Sequence, residues 1–183
     1  MRLFFALLLA AASVCAAGDL SGRRAPGFSL PDLKFNQHDL LDYRGKVLLI
    51  DIMQTNCPHC AEFSGILEQA QAKYGNRIAV LSIVNPPDNQ STVARFASAH
   101  KITTPILFDC GQVAASYLKV TPQKPSFSVP HLFIVDPQGM IREDYGYSVL
   151  TKEIFEGRQL FTVLDRMLGG APSPAQPGSP GKK

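Results

Sequence analysis

The run Val47-Leu48-Leu49-Ile50-Asp51-Ile52-Met53 is apolar at every position but one, with no alternation of polar and apolar residues. That is the pattern of a strand covered on both sheet faces, and it predicts the central strand of the fold. After it, Phe63, Ile66, Leu67 and Ala70 recur at helical spacing. Pro58 suits the first turn of that helix and Gly75 its end. Residues 78–84 repeat the buried-strand pattern and stop at Asn85-Pro86-Pro87. Strand, helix and strand in this order predict a right-handed crossover between parallel strands.

Upstream, Phe28-Ser29-Leu30 reads as a short strand and residues 36–44 as a polar turn region. Downstream, a helix is predicted over 90–99, with Val93, Phe96 and Ala97 on one face. A short strand at 105–108 and a short helix over 113–118 follow, and residues 121–128 form a proline-containing loop leading to Pro130. Residues 131–136 and 140–145 pair as a hairpin across Pro137-Gln138-Gly139. Residues 150–168 are predicted to close the domain as one helix, burying Ile154, Phe155, Leu160, Phe161, Leu164 and Leu168.

A length of 183 residues without a repeat of fixed period suits one well-cored domain with appendages. The two ends differ from the middle. Arg2, the apolar stretch 3–14 and the small residues Cys15-Ala16-Ala17 have the form of a secretory signal peptide, with cleavage expected after Ala17. The apolar stretch is shorter than the ~20 residues that span a bilayer. Residues 18–168 are expected to form the domain, and 169–183, rich in Pro, Gly and Ser, a disordered tail. Export to the periplasm or the exterior would place Cys57, Cys60 and Cys110 where disulfides persist. A net charge of +3 without a basic cluster interleaved with aromatics gives nucleic-acid binding no support.

The chemistry centres on Cys57-Pro58-His59-Cys60, placed where the central strand gives way to the helix. Unpaired backbone N–H groups and the dipole at a helix N-terminus favour thiolate over thiol, and thiolate is the form that attacks disulfides. The spacing brings Cys60 within reach of Cys57, so Cys60 can release a mixed disulfide formed there. His59, between them, carries an N–H that can stabilise the Cys57 thiolate. Asp51 interrupts a strand that should be buried; a desolvated carboxyl has a raised pKa, which suits proton exchange with Cys60. No second C-x-x-C and no H-x-x-x-H follows, so structural zinc is not expected, nor is any cofactor. Cys110 is expected to pack as a small apolar side chain, with an extra redox thiol as the alternative.

These features resemble the thioredoxin superfamily, and more narrowly its extracytoplasmic TlpA/ResA-like members, grouped with the AhpC/TSA and redoxin domains. The similarity runs over residues 25–168. It is carried by Ala25-Pro26-Gly27-Phe28-Ser29-Leu30, by Tyr43-Arg44-Gly45-Lys46 before the central strand, by the C-x-x-C, and by residues 128–136. The resemblance implies an α/β, thioredoxin-like fold: a central mixed β-sheet flanked by helices, with an N-terminal strand extension and a β-α insertion. Thioredoxins carry an aspartate at the position matching Asp51. Val129-Pro130 resembles the residue and cis-proline that face the dithiol, so Val129, Phe127 and Asn56 are the expected substrate-binding positions. The family position before the first cysteine is usually tryptophan; here it is Asn56, and the chain has no tryptophan.

The implied activity is exchange of disulfides with exported protein thiols or disulfides, with a membrane-bound thiol reductase or oxidase as a further partner. Direction stays open, because TlpA/ResA-like architecture implies a reductant whereas Pro58-His59 is the dipeptide of DsbA-type oxidants. Two other functions use the same fold. Peroxiredoxins place a proline and a hydroxyl residue where this chain has Ile50 and Gln54. Copper-assembly proteins use C-x-x-x-C and a distant histidine; here the soft ligands on offer are Cys57, Cys60 and His59 or His131, with one residue fewer between the cysteines.

Overall fold

The computed structural model describes residues 20–169, so the expected signal peptide and residues 170–183 of the expected tail lie outside the described residues. In chain order the strands are β1 (Ser29–Pro31), β2 (Gln37–Asp39), β3 (Val47–Met53), β4 (Ile78–Val84), β5 (Ile106–Phe108), β6 (His131–Val135) and β7 (Ile141–Gly146). The helices are α1 (Pro58–Tyr74), α2 (Gln90–His100), α3 (Gln112–Leu118), α4 (Lys152–Phe155) and α5 (Arg158–Met167).

Every residue of β3 is buried, as its unbroken apolar pattern requires. It pairs in parallel with β4 and antiparallel with β6, in a mixed sheet of order β5-β4-β3-β6-β7. Strand alternation divides the core in two. Val47 and Leu49, with Val80 and Ile134, meet Phe63 and Leu67 of α1 and Leu160 and Leu164 of α5. Leu48, Ile50 and Ile52 point the other way, toward Phe28 and Leu30 of the N-terminal segment and Tyr117 of α3. Phe63 is fully buried and packs edge-on against Phe155, ring centroids 4.8 Å apart. The predicted crossover, hairpin and insertion are all present, β5 and α3 lying between α2 and β6.

Two segments differ from expectation. Residues 36–44 hold β2 and a single-turn 3-10 helix, Leu40–Tyr43, rather than a plain turn. Asp39 caps that turn by accepting the Leu41 N–H, and Asp42 accepts the Asp39 N–H in return. β2 pairs only with β1, so the N-terminal strands form a separate antiparallel pair, touching β5 at the Asp32–Leu107 bridge. The closing helix is two helices, broken at Gly157, whose φ of +88° lies in the left-handed region.

Candidate active site

The parallel strands β3 and β4 end on the same edge of the sheet, and the dithiol sits there, at the entry to α1. Cys57 is the N-cap: its backbone is extended, and its Sγ accepts the Cys60 N–H at 3.1 Å. Pro58 occupies the first turn, where a missing N–H costs nothing. Cys57 and Cys60 are disulfide-bonded, with Cα atoms 5.2 Å apart, within the range that the bond requires. The two sulfurs are unequal in access. Cys57 is half-buried, whereas Cys60 is 0% exposed and packed among Met53, Val84 and Phe96.

Across from the dithiol, the Val129 carbonyl oxygen lies 3.9 Å from Cys57 Sγ. The Val129-Pro130 bond is cis, as the family resemblance implied; a second cis bond, Pro86-Pro87, had no forecast in the sequence. Pro130 is buried and Val129 half-buried.

Asp51 is 0% exposed, and neither carboxylate oxygen has a hydrogen-bond partner among the described residues. Alternation along β3 puts it on the face of Leu49 and Met53, the face that α1 covers and into which Cys60 is packed. Burial raises its pKa to about 8, because ionising it would leave a charge with neither water nor a counterion.

His59 is exposed on the first turn of α1 and stacks on Tyr147, ring centroids 4.5 Å apart. Its Nδ1 lies 3.4 Å from both the Glu62 carboxylate and the Tyr147 hydroxyl. The Tyr147 N–H donates to the Pro130 carbonyl at 3.2 Å, so one residue joins the imidazole to the proline loop. His59, Glu62, Tyr147, Lys152, Phe155 and Glu156 line a cleft of about 320 Å³ beside the dithiol.

The structure therefore brings Cys57, Cys60, Pro58, His59, Val129 and Pro130 together, with Asp51 on the buried side and Asn56 exposed next to Cys57. Phe127 is half-buried and packs against the core cluster on the sheet face opposite α1. His131 is tied to the buried Asp144 at 2.7 Å, and Asp144 also accepts the Leu20 N–H. Among the described residues no group of three or more His, Cys, Asp or Glu is arranged to hold a metal ion. Cys110 corrects an expectation: it is exposed. Asp109 takes the inward position instead, accepting the Val113 and Ala114 N–H groups at the start of α3. Tyr147 and the Asp88 carboxylate, which accepts the Thr55 N–H at 3.0 Å, were not foreseen. Tyr147 joins the segment after β7 to the first turn of α1, and Asp88 joins two loops; no local pattern marks either.

A mixed sheet of this order, with a dithiol at the strand-to-helix junction and a cis-proline opposite, defines a thioredoxin-like redox fold. The AhpC/TSA family profile matches residues 21–144, and the chain belongs to the AhpC/TSA family. It is 28% identical to the thioredoxin-like protein YneN of Bacillus subtilis over 139 residues, 75% of this chain and 78% of that one. It is also 28% identical to the thiol-disulfide oxidoreductase ResA of Geobacillus kaustophilus over 135 residues, 74% of each chain. Among solved structures, a thiol:disulfide interchange protein from Bacteroides sp. superposes with a TM-score of 0.65 at 20% identity, covering 82% of this chain and 91% of that one. No helix among the described residues is long and apolar enough to cross a membrane.

Proposed function

We propose that this protein is a thiol:disulfide oxidoreductase that exchanges disulfides with exported protein substrates through Cys57 and Cys60. The observation that carries the reading is the unequal access of the two sulfurs at a helix N-terminus. In the reducing direction the Cys57 thiolate attacks a substrate disulfide. A Cys57–substrate S–S bond forms, the substrate bond breaks, and the leaving sulfur takes a proton. Cys60 then loses its proton and attacks Cys57 Sγ, restoring the internal disulfide and freeing the second substrate thiol. Two electrons pass to the substrate, and the reverse sequence oxidises a substrate dithiol.

Asp51 is the proton partner of Cys60, a role supported by its burial on the α1 side and its carboxyl poised near pH 8. Val129 and Pro130 present backbone to an extended substrate segment beside Cys57, flanked by the exposed Asn56, whereas Phe127 supports the loop from the opposite face of the sheet. His59, held by Tyr147 and Glu62, adds an N–H donor at the end of α1 where negative charge develops. The leader pattern at residues 1–17 supports export, and a membrane-bound thiol reductase or oxidase would reset the pair.

Cys60→Ala tests the reading. The variant should accumulate mixed disulfides with proteins of the producing cell through Cys57, visible as adducts that a reductant releases. With Cys110→Ser in both proteins, adducts that persist in the Cys57→Ala, Cys60→Ala double variant would refute it, as would their absence in Cys60→Ala.

A further inference from the structure

The loop that delivers Cys57 is held from a second loop by one carboxylate. Asp88, in the connection between β4 and α2, accepts the Thr55 N–H at 3.0 Å and the Thr55 hydroxyl through its other oxygen. That oxygen also accepts the Thr92 hydroxyl at 2.9 Å, and the Asp88 N–H donates to the Asn85 carbonyl at 3.0 Å. The carboxylate is thus fixed from its own side and binds Thr55 by both of that residue's nearest donors. Hydrogen bonds to an ionised acceptor are the stronger kind. Thr55 lies inside the tight turn closed by the Cys57 N–H on the Gln54 carbonyl at 3.2 Å. Fixing Thr55 therefore fixes the turn, and with it the direction in which Cys57 leaves β3.

We infer that Asp88 is a positioning residue for Cys57, acting through Thr55 to hold the thiolate at the N-terminus of α1 when the disulfide is open. The inference rests on the proposed redox role of the pair. In the oxidised protein the covalent S–S bond holds Cys57 whether or not the clamp exists. Once the pair is reduced, Cys57 is held by the turn, by the Cys60 N–H on its sulfur, by the start of the helix and, while it is a thiol, by the Val129 carbonyl, a contact that the thiolate gives up. Losing the clamp therefore lowers the stability of the reduced form more than that of the oxidised form. It loosens the approach of the sulfur to the Cys60 N–H, and a less stabilised thiolate makes the pair more reducing.

Charge alone makes the opposite prediction. Removing a nearby carboxylate would make the Cys57 thiolate easier to form, whereas removing a positioning clamp makes it harder. Thr55→Val deletes the hydroxyl donor without changing charge, and Asp88→Ala deletes both charge and clamp, so the two variants separate the explanations.

The experiment measures alkylation of reduced Cys57 against pH in a Cys110→Ser background, with mass spectrometry locating the adduct and melting of both redox forms recorded alongside. Both variants should shift the alkylation midpoint upward and slow the reaction at pH 7 by roughly three- to tenfold, since thiolate fraction governs the rate. Both should also lower the melting temperature of the reduced form more than that of the oxidised form. An unchanged midpoint, a downward shift in Asp88→Ala, or equal loss of melting temperature in both forms would overturn the clamp. A parent protein whose Cys57 resists alkylation when reduced would instead count against the redox reading itself.

Discussion

Asp51 is the residue on which sequence and structure agree most usefully. A single acid in an otherwise apolar run marks a strand buried on both faces, and in the structure its carboxyl is fully buried with no hydrogen-bond partner among the described residues. Its pKa of about 8 has a thermodynamic consequence. An unfolded chain releases this proton near the ordinary value of about 3.9, whereas the folded chain keeps it. Across that window the folded state binds more protons, so stability falls as pH rises, at up to about 1.4 kcal/mol per pH unit. Asp51→Asn removes the titration. Its melting temperature relative to the parent should rise steadily from pH 4 to pH 8, while its disulfide exchange slows by about tenfold or more. A difference in melting temperature that stays constant over that range would show that the carboxyl is not held neutral. Tyr147 and Asp88 are the counterexamples at this scale. Their contacts reach across 88 and 33 residues and start from loops, where neither periodicity nor spacing carries a signal. Packing of Cys110 was not legible, because an isolated cysteine says nothing of which neighbour turns inward; here Asp109 does, at the start of α3.

Among the elements, those built from strong periodicity were legible: β3, β4, α1 and the β6–β7 hairpin. The C-x-x-C marked the N-terminus of α1 because its first cysteine doubles as the cap. The segments misread were those in which a backbone detail outweighs the pattern. β2 is three polar residues, too short for an alternating pattern to show, and the apolar spacing over 150–168 continues through a break that Gly157 makes. At Gly157 a Cβ would meet Ile66 of α1 at 3.0 Å and Phe161 at 3.2 Å, in addition to the cost of a positive φ. Gly157→Ala should therefore destabilise the protein by about 1–2 kcal/mol in urea titration. A neutral or stabilising effect would mean that the break is not fixed by this residue. Phe63→Ala, which empties the seam between α1 and α4, should cost about 3–5 kcal/mol in the same assay.

At the scale of the molecule, the fold is an apparatus for holding one pair of sulfurs in unequal positions. Parallel strands end on a common edge, α1 starts there, and the proline loop closes over it from the far side of β3 through β6. The sequence made the fold class readable because the buried strands, the dithiol and Val129-Pro130 occur in an order that few architectures share. It left Tyr147 and Asp88 beside the dithiol unread, because their contacts arise where segments from separate crossovers meet. Whether Cys57 and Cys60 form a reversible redox pair or a structural brace is decided by the midpoint potential of that pair in the purified protein. A redox pair gives one reversible two-electron transition between about −270 and −120 mV, the span of thioredoxin-fold catalysts, and that is the expected result. A bond that stays closed to below about −300 mV, as structural disulfides do, would contradict it.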